Sequence, residues 1–260
     1  MPASSHIPIL ETFSATEYRY VHLIGGGGKT TLMFALAHAL AESGHSVLTT
    51  TTTRILEPDS SESDCVIFES DAVRLVERLH AEFAVRRHVT AVARTDATGR
   101  KLEGLDVAVL DAVVDSRVAD RVLVEADGAA GRSLKAHAPY EPVVSARADL
   151  VIAVIGVDCV GEPMDDEHVH RAELFRTRLG RPKGTLVTPE NVPAILLHRD
   201  GYLARLSSNI RVFVFINKAA TAQALDSARH IGAQLKQDDR EGRVSRIIIG
   251  DVRERVFEET

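Results

Sequence analysis

The sequence predicts an α/β fold, a mainly parallel β-sheet flanked by helices with a small β-hairpin insertion. Three observations predict it. Short β-branched runs alternate with helical patterns along the chain. Several of those runs are apolar throughout, as strands buried on both faces are. No repeat, low-complexity tract or long polar linker interrupts the alternation, so 1–260 reads as one domain.

Tyr20–Ile24 is the first predicted strand, and the apolar, alanine-rich Thr30–Ser43 follows it as a helix that stops at Gly44. Strands are predicted at Ser46–Thr50 and Cys65–Phe68. A helix over Asp71–Arg87 carries Leu75, Leu79 and Phe83 at four-residue spacing, one buried stripe. The stretch "VARTDATGRKLEG" then breaks the rhythm. Thr90–Leu105 reads as a hairpin turning at Ala97–Gly99, an inserted flap within 88–106. Further strands are predicted at Arg121–Val124, Leu150–Ile155, Arg211–Ile216 and Arg246–Ile249. Thr188-Pro189 has the chemistry of a helix start, a threonine cap followed by proline in the first turn. Ala219–Gln237 places Leu225, Ala228 and Leu235 on one helical face.

Composition narrows the classes. Apolar residues make up 45% and charged residues 26%, ordinary for a globular protein of 260 residues. The net charge of −6 gives no electrostatic reason to expect nucleic acid or an anionic membrane as partner. The longest apolar run, Leu150–Val157, is too short to span a bilayer. "MPASSHIPILETF" lacks the basic-then-apolar order of a signal peptide. Cys65 and Cys159 are the only cysteines and read as ordinary buried thiols, which fits a cytoplasmic protein.

"HLIGGGGKTTLM" follows a buried strand and opens a helix. That is the setting of a phosphate-binding loop, and it makes the fold P-loop NTPase-like. Gly25, Gly26, Gly27 and Gly28 let backbone N–H groups approach phosphate oxygens, and the helix N-terminus adds partial positive charge. Lys29 supplies an ammonium for the β- and γ-phosphates; Thr30 offers a hydroxyl to Mg²⁺, and Thr31 continues the motif. Leu23 stands where the usual pattern has its first glycine, so Gly25 is expected to make the turn one step later.

"RVLVEADGAAG" ends an apolar strand in acids. Strand alternation sends Glu125 and Asp127 to the same side, where carboxylates can hold Mg²⁺ or orient a nucleophile. Lys29 and Asp127 are the candidate catalytic groups; Thr30, Glu125 and Asp127 are the candidate metal ligands. "VLTTTTTR" puts Thr51 and Thr52 at a strand's carboxyl end, where ligands of such sheets sit. "GRSLKAHAPYEPVV" gathers Arg132, Lys135, His137 and Glu141 in one loop, suited to an anionic substrate, to sensing the nucleotide state, or simply to solvent.

In "VFVFINKAA", Asn217 and Lys218 match the first two positions of the N-K-x-D base-reading element of GTP-binding proteins. Its carboxylate position is Ala220, so weak discrimination between ATP and GTP is expected. Asn217 reads equally well as the cap of the next helix. His168 and His170, in "DDEHVHRAEL", would not share a helical face, unlike an i, i+4 metal pair.

In order along the chain, "GGGGKTTL", "TTTT", "VEADGAAGRSLKAHAPYEPVV", "GEPMDDEHVHRAELF", "TPENVPAILLHRDGYL" and "INKA" resemble the YqeC family, selenium-dependent hydroxylase accessory proteins of selenium cofactor biosynthesis. The similarity covers nearly the whole chain, and EADGAAG–KAH–EP is its most specific part. The resemblance implies a cytoplasmic P-loop NTPase with Mg²⁺ and ATP or GTP as ligands. It implies as partner a selenium-dependent molybdenum hydroxylase or another cofactor-maturation protein. By matching position, Gly25–Thr31, Thr51, Thr52, Glu125, Asp127, Lys135, His137, Glu141, His170 and Arg171 take the family's site roles. Three functions stay open: an NTP-hydrolysing accessory factor, a small-molecule kinase or NTP-dependent ligase, and a non-hydrolysing nucleotide-bound scaffold.

Overall fold

A computed structural model describes residues 9–63 and 65–260. The first eight residues, on which much of the signal-peptide reading rests, lie outside the described residues. The strands are β1 Tyr20–Gly25, β2 Val47–Thr51, β3 Arg54–Ile55, β4 Val66–Phe68, β5 His88–Val92, β6 Arg94–Thr95 and β7 Leu102–Glu103. They continue with β8 Arg121–Glu125, β9 Leu134–Lys135, β10 Leu150–Gly156, β11 Val169–His170, β12 Arg211–Asn217, β13 Arg246–Asp251 and β14 Val256–Glu259. The helices are α1 Ile9–Thr12, α2 Lys29–Glu42, α3 Ala72–Phe83, α4 Val107–Ser116, α5 Ala172–Leu179, α6 Asn191–Leu196 and α7 Ala222–Asp238.

The main sheet runs β14-β13-β12-β10-β1-β8-β2-β5-β4 and is parallel except for β14 against β13. Alternation along β10 sorts the two faces. Leu150, Ile152 and Val154 join the core beneath α2, with Leu32, Met33, Leu36 and Leu40. Val151, Ala153 and Ile155 join the opposite core, with Phe175 of α5, Ile195 of α6 and Ile231 of α7. A third cluster packs Leu75 and Leu79 of α3 and Leu110 and Val113 of α4 over β2, β5 and β8. The fold is therefore α/β with a mostly parallel nine-stranded sheet covered on both faces, consistent with a P-loop-like architecture.

β1 is the hinge of the topology. The chain winds outward from it through β2 and β4, then β5, returns to insert β8 beside β1, and crosses to β10 on the other flank. The carboxyl end of β1 is thus the switch point of the sheet, where open parallel sheets carry their ligand crevice.

Several expectations need correction. The inserted hairpin is smaller than 88–106, because β5, His88–Val92, is a fully buried strand between β2 and β4 in the main sheet. The hairpin proper is β6–β7, turning where the Gly99 N–H donates to Asp96 O, and β7 also pairs with β3. α4 and β14 carry no expectation at all. The valine-rich "VAVLDAVVDS" gives α4 little helical propensity, so its packing on α3 decides its state. α6 starts at Asn191, whose side-chain oxygen accepts from the N–H and hydroxyl of Thr188. His168 and His170 do not share a helix: His168 lies in a turn and His170 in β11. Cys159 is buried and Cys65 half-buried. Among the described residues, no helix is long and apolar enough to cross a membrane.

Candidate functional site

The turn after β1 is shaped by close backbone packing. The loop N–H of Gly26 donates to Val154 O and that of Gly27 to Arg132 O, both at 2.9 Å. A Cβ on Gly26 would lie 2.5 Å from Arg132 O, and one on Gly27 2.1 Å from Gly156 N. Only glycine allows the 132–133 segment and the end of β10 to come so near. The sequence suggests four open N–H groups at Gly25–Gly28; the fold engages the first three. Open instead are the N–H groups of Gly28, Lys29, Thr30 and Thr31, which have no acceptor among the described residues.

Lys29, first residue of α2, is buried at 4% exposure. Its Nζ donates to Gly25 O at 2.6 Å and lies 3.2 Å from Asp127 Oδ1 and 3.6 Å from Glu125 Oε1. Burial works against its charge, but Asp127 and then Glu125 outweigh that and raise its pKa. Thr30 Oγ1 donates to Glu125 Oε2 at 2.6 Å. Glu125 ends β8 beside β1, in register with Leu23, so it meets the first turn of α2. Parallel pairing of β1 with β8 is what brings together a lysine, a hydroxyl and a carboxylate far apart in sequence.

Asp127 lies deeper, without measurable exposure. Gly25 N–H donates to both its oxygens, at 3.0 and 2.9 Å. Lys135 Nζ lies 3.2 Å from Oδ2, and His137 Nε2 makes a short contact to the same oxygen. Burial alone would raise the Asp127 pKa; Lys29, the His137 hydrogen bond and Lys135 hold it well below the usual carboxylate range. His137 is itself driven down by burial, against the pull of Asp127. Its Nδ1 is buried with no hydrogen-bond partner among the described residues. An imidazolium would bury an unpaired Nδ1–H there, so the group is a neutral imidazole donating from Nε2 to Asp127.

The network continues outward. Lys135 Nζ reaches Glu141 Oε2 at 2.9 Å. Arg171 grips both Glu141 oxygens, Nη2 to Oε1 at 3.1 Å, and its guanidinium stacks 5.8 Å from the Tyr140 ring centroid. Burial would raise the Glu141 pKa, but the hydrogen bond from Arg171 and the charge of Lys135 lower it. β9 and β11 hold the partners in place, pairing Leu134 with Val169 and Lys135 with His170. His170 is half-buried, and its pKa is lowered by burial and then by Arg171 and Lys135.

Other candidate residues have structural bonds. Thr51 Oγ1 donates to Glu125 O at 2.8 Å and Thr52 Oγ1 to Val143 O at 2.9 Å. Arg132 Nε donates to Asp166 O at 2.8 Å. Asn217 does not cap α7, whose cap is Thr221, accepting from Ala224 N. The Asn217 amide bridges instead: Nδ2 donates to Gly27 O at 2.7 Å, and Oδ1 accepts from Val252 N at 3.0 Å. Lys218 Nζ bonds Ser133 Oγ at 2.7 Å and Asp158 Oδ2 at 2.8 Å.

A cavity of ≈ 340 Å³ opens beside the glycine loop, lined by Gly28, Thr31, Asp158, Asn217, Lys218 and Asp251 among others. Ala220 does not line it, whereas Asp251 does. No spacing rule in the sequence finds Asp251 or Asp158. They arrive with Asn217 because β12 lies between β10 and β13. Among the described residues, no group of three or more His, Cys, Asp and Glu side chains is arranged to hold a metal by itself.

The sequence profile described as YqeC protein matches residues 21–173, a span that holds the glycine loop, the acidic strand end and the network through Arg171. The chain is also similar to the Escherichia coli (strain K12) protein described as "Uncharacterized protein YqeC". The two are 30% identical over 235 residues, 90% of this chain and 88% of the relative. With the profile covering more than half of its length, the chain belongs to the YqeC family.

Proposed function

We propose that this chain binds and hydrolyses a nucleoside triphosphate with Mg²⁺, as one cytoplasmic P-loop nucleotide-binding domain. The observation that carries this reading is the meeting of Lys29, Thr30 and Glu125 at the head of α2, under four N–H groups without acceptors among the described residues. Those N–H groups suit phosphate oxygens, and the start of a fourteen-residue helix favours their negative charge. Lys29 already carries its proton and needs only to swing from Gly25 O toward a phosphate. Asp127 anchors the loop, since Gly25, Lys29, Lys135 and His137 already occupy both its oxygens.

The donors present fit Mg²⁺. Thr30 Oγ1 and Glu125 Oε2 are hard oxygens side by side, and magnesium sites of this kind take few protein ligands beside phosphate and water. When bound, the metal would supply charge neutralisation to the phosphates. The ≈ 340 Å³ cavity next to Gly28 and Thr31 suits the base and ribose, of either ATP or GTP.

The pathway rests on family resemblance alone: an accessory role in selenium cofactor biosynthesis and maturation of selenium-dependent molybdenum hydroxylases. Calorimetry with Mg–ATP and Mg–GTP tests the binding. Lys29→Ala and Thr30→Val should each weaken it, the first by roughly thirty- to a hundredfold, the loss of a charge-assisted contact worth about 2–3 kcal/mol. Equal affinity in wild type and both variants excludes this loop as the site.

A further inference from the structure

A second concave feature lies away from the glycine loop. It is a groove of ≈ 690 Å³ between the loop after β9, the outer face of α5 and the loop after α6. Ala138, Pro139 and Leu174 give it an apolar wall, and Arg178, Arg199 and Arg205 a cationic one.

The charges there do not balance. Among the described residues Asp200 is the one acid lining the groove, and it lies 3.7 Å from Arg199 and 4.0 Å from His198. Neither Arg178 nor Arg205 has an ion-pair partner among the described residues. Arg178 Nη1 is buried with no hydrogen-bond partner among the described residues, which is costly for a guanidinium unless an acceptor comes from elsewhere. Burial lowers the Arg178 pKa, and Arg171 and Arg205 push the same way against Asp200. Excess positive charge at one concave place is the opposite of the chain's net charge of −6.

We propose that this groove is a binding site for a small molecule carrying an oxyanion, phosphate or carboxylate, on an apolar body, with Arg178 and Arg205 clasping the anion. Guanidinium forks match either oxyanion in bidentate fashion, and Ala138, Pro139 and Leu174 take the body. None of its lining residues belongs to the glycine loop or to the cavity beside it. Ala138 and Pro139 lie between His137 and Glu141, and Glu141 N–H donates to Ala138 O at 2.9 Å. A ligand seated there therefore touches the segment between two members of the buried network, His137 on Asp127 and Glu141 on Lys135 and Arg171.

Phenyl phosphate and benzoate are the probes, titrated by calorimetry into wild type, Arg205→Glu, Arg178→Gln and Lys29→Ala. Arg205 is exposed, so Arg205→Glu folds as wild type does. The expected result is binding of at least one probe that falls by about tenfold or more in Arg205→Glu and Arg178→Gln and persists in Lys29→Ala. Which probe binds decides between phosphate and carboxylate. No binding of either probe up to about 10 mM overturns the proposal, and so does binding that is unchanged in Arg205→Glu. Binding lost only in Lys29→Ala would put the anion on the glycine loop and overturn it too. Mg–ATP affinity measured on Arg205→Glu is expected to match wild type, which separates this site from the nucleotide reading.

Discussion

Asp127 Oδ2 and Lys135 Nζ lie 3.2 Å apart, and neither side chain is exposed to solvent. They form the middle of a chain of alternating charge: Glu125, Lys29, Asp127, Lys135, Glu141, Arg171. Three cations and three anions leave no net charge, which is the condition under which such a chain can be buried. It runs from the head of α2 to the stacked Tyr140–Arg171 pair, so a charge placed at either end alters the field along the whole row.

Breaking the middle pair should cost stability more than any change at its ends. Lys135→Met leaves Asp127 and Glu141 facing each other's charge in a dry interior. The expected loss is about 3–5 kcal/mol. Asp127→Asn combined with Lys135→Met should recover part of it, because no uncompensated charge then remains at that point. Urea unfolding of the two singles and the double gives the coupling energy directly. Simple additivity would mean the two groups act independently despite their contact.

Glu125 and Asp127 should separate in their effects. Glu125 shares its carboxylate with the Thr30 hydroxyl, whereas Asp127 is fully occupied by Gly25, Lys29, Lys135 and His137. Glu125→Gln is expected to raise the Mg²⁺ needed for nucleotide binding by roughly tenfold or more, with affinity recovering at saturating metal. Asp127→Asn is expected instead to lower the unfolding midpoint, with metal dependence little changed. Titrating Mg²⁺ at fixed nucleotide distinguishes them; the opposite pattern would make Asp127 the metal ligand.

Base selectivity should depend on Asp251 and not on position 220. Asp251 Oδ1 accepts from Arg253 N at 2.8 Å, which fixes the carboxylate at the cavity that Asn217 and Lys218 also line. Guanine presents two neighbouring donors that one carboxylate can accept together; adenine presents a single amino group. Asp251→Asn should therefore weaken GTP by about tenfold, one charge-assisted hydrogen bond, and ATP by less. Ala220→Asp should change neither. A competition assay in which Ala220→Asp raises GTP affinity would restore position 220 as the reading position.

The contrast between 220 and 251 shows what was legible in the sequence. "GGGGKTT" and "VEAD" are local patterns, each complete within a few residues, and their strand-end setting follows from the apolar runs before them. The Asp251 contribution depends on two parallel pairings, β10 with β12 and β12 with β13, which no local spacing encodes. Arg178 and Arg205 likewise line one groove only because the fold sets α5 and the loop after α6 around it. The sequence places Glu125 and Asp127 on one side correctly, yet their unequal depth depends on Lys135 and His137 folding back beneath the loop. β5 is hidden because "HVTAV" runs straight into the hairpin, so a buried parallel strand and an exposed turn read as one unit.

Acid stability should carry the mark of His22. It lies on β1 with no exposure, packed 4.7 Å from the Tyr20 ring, and neither ring nitrogen has a hydrogen-bond partner among the described residues. Burial drives its pKa from the ordinary 6.5 down to about 3. The unfolded chain takes up a proton near pH 6.5, whereas the folded chain does not until about pH 3. Between those values the unfolded state binds more protons, so stability falls as pH falls, by about 1.4 kcal/mol per unit from this group. Above the unfolded value the two states bind alike and the contribution is flat. His22→Leu removes the titration and keeps an apolar side chain in the strand. Other buried groups, His137 among them, titrate equally in both proteins and cancel in the comparison. The stability difference between variant and wild type should therefore move in the variant's favour by roughly 2–3 kcal/mol between pH 7 and pH 4.5. Urea midpoints measured at half-unit steps across that window check it. Parallel pH profiles for the two proteins would mean that His22 gains its proton in the folded state as readily as in the unfolded chain, against its burial and the absence of any partner.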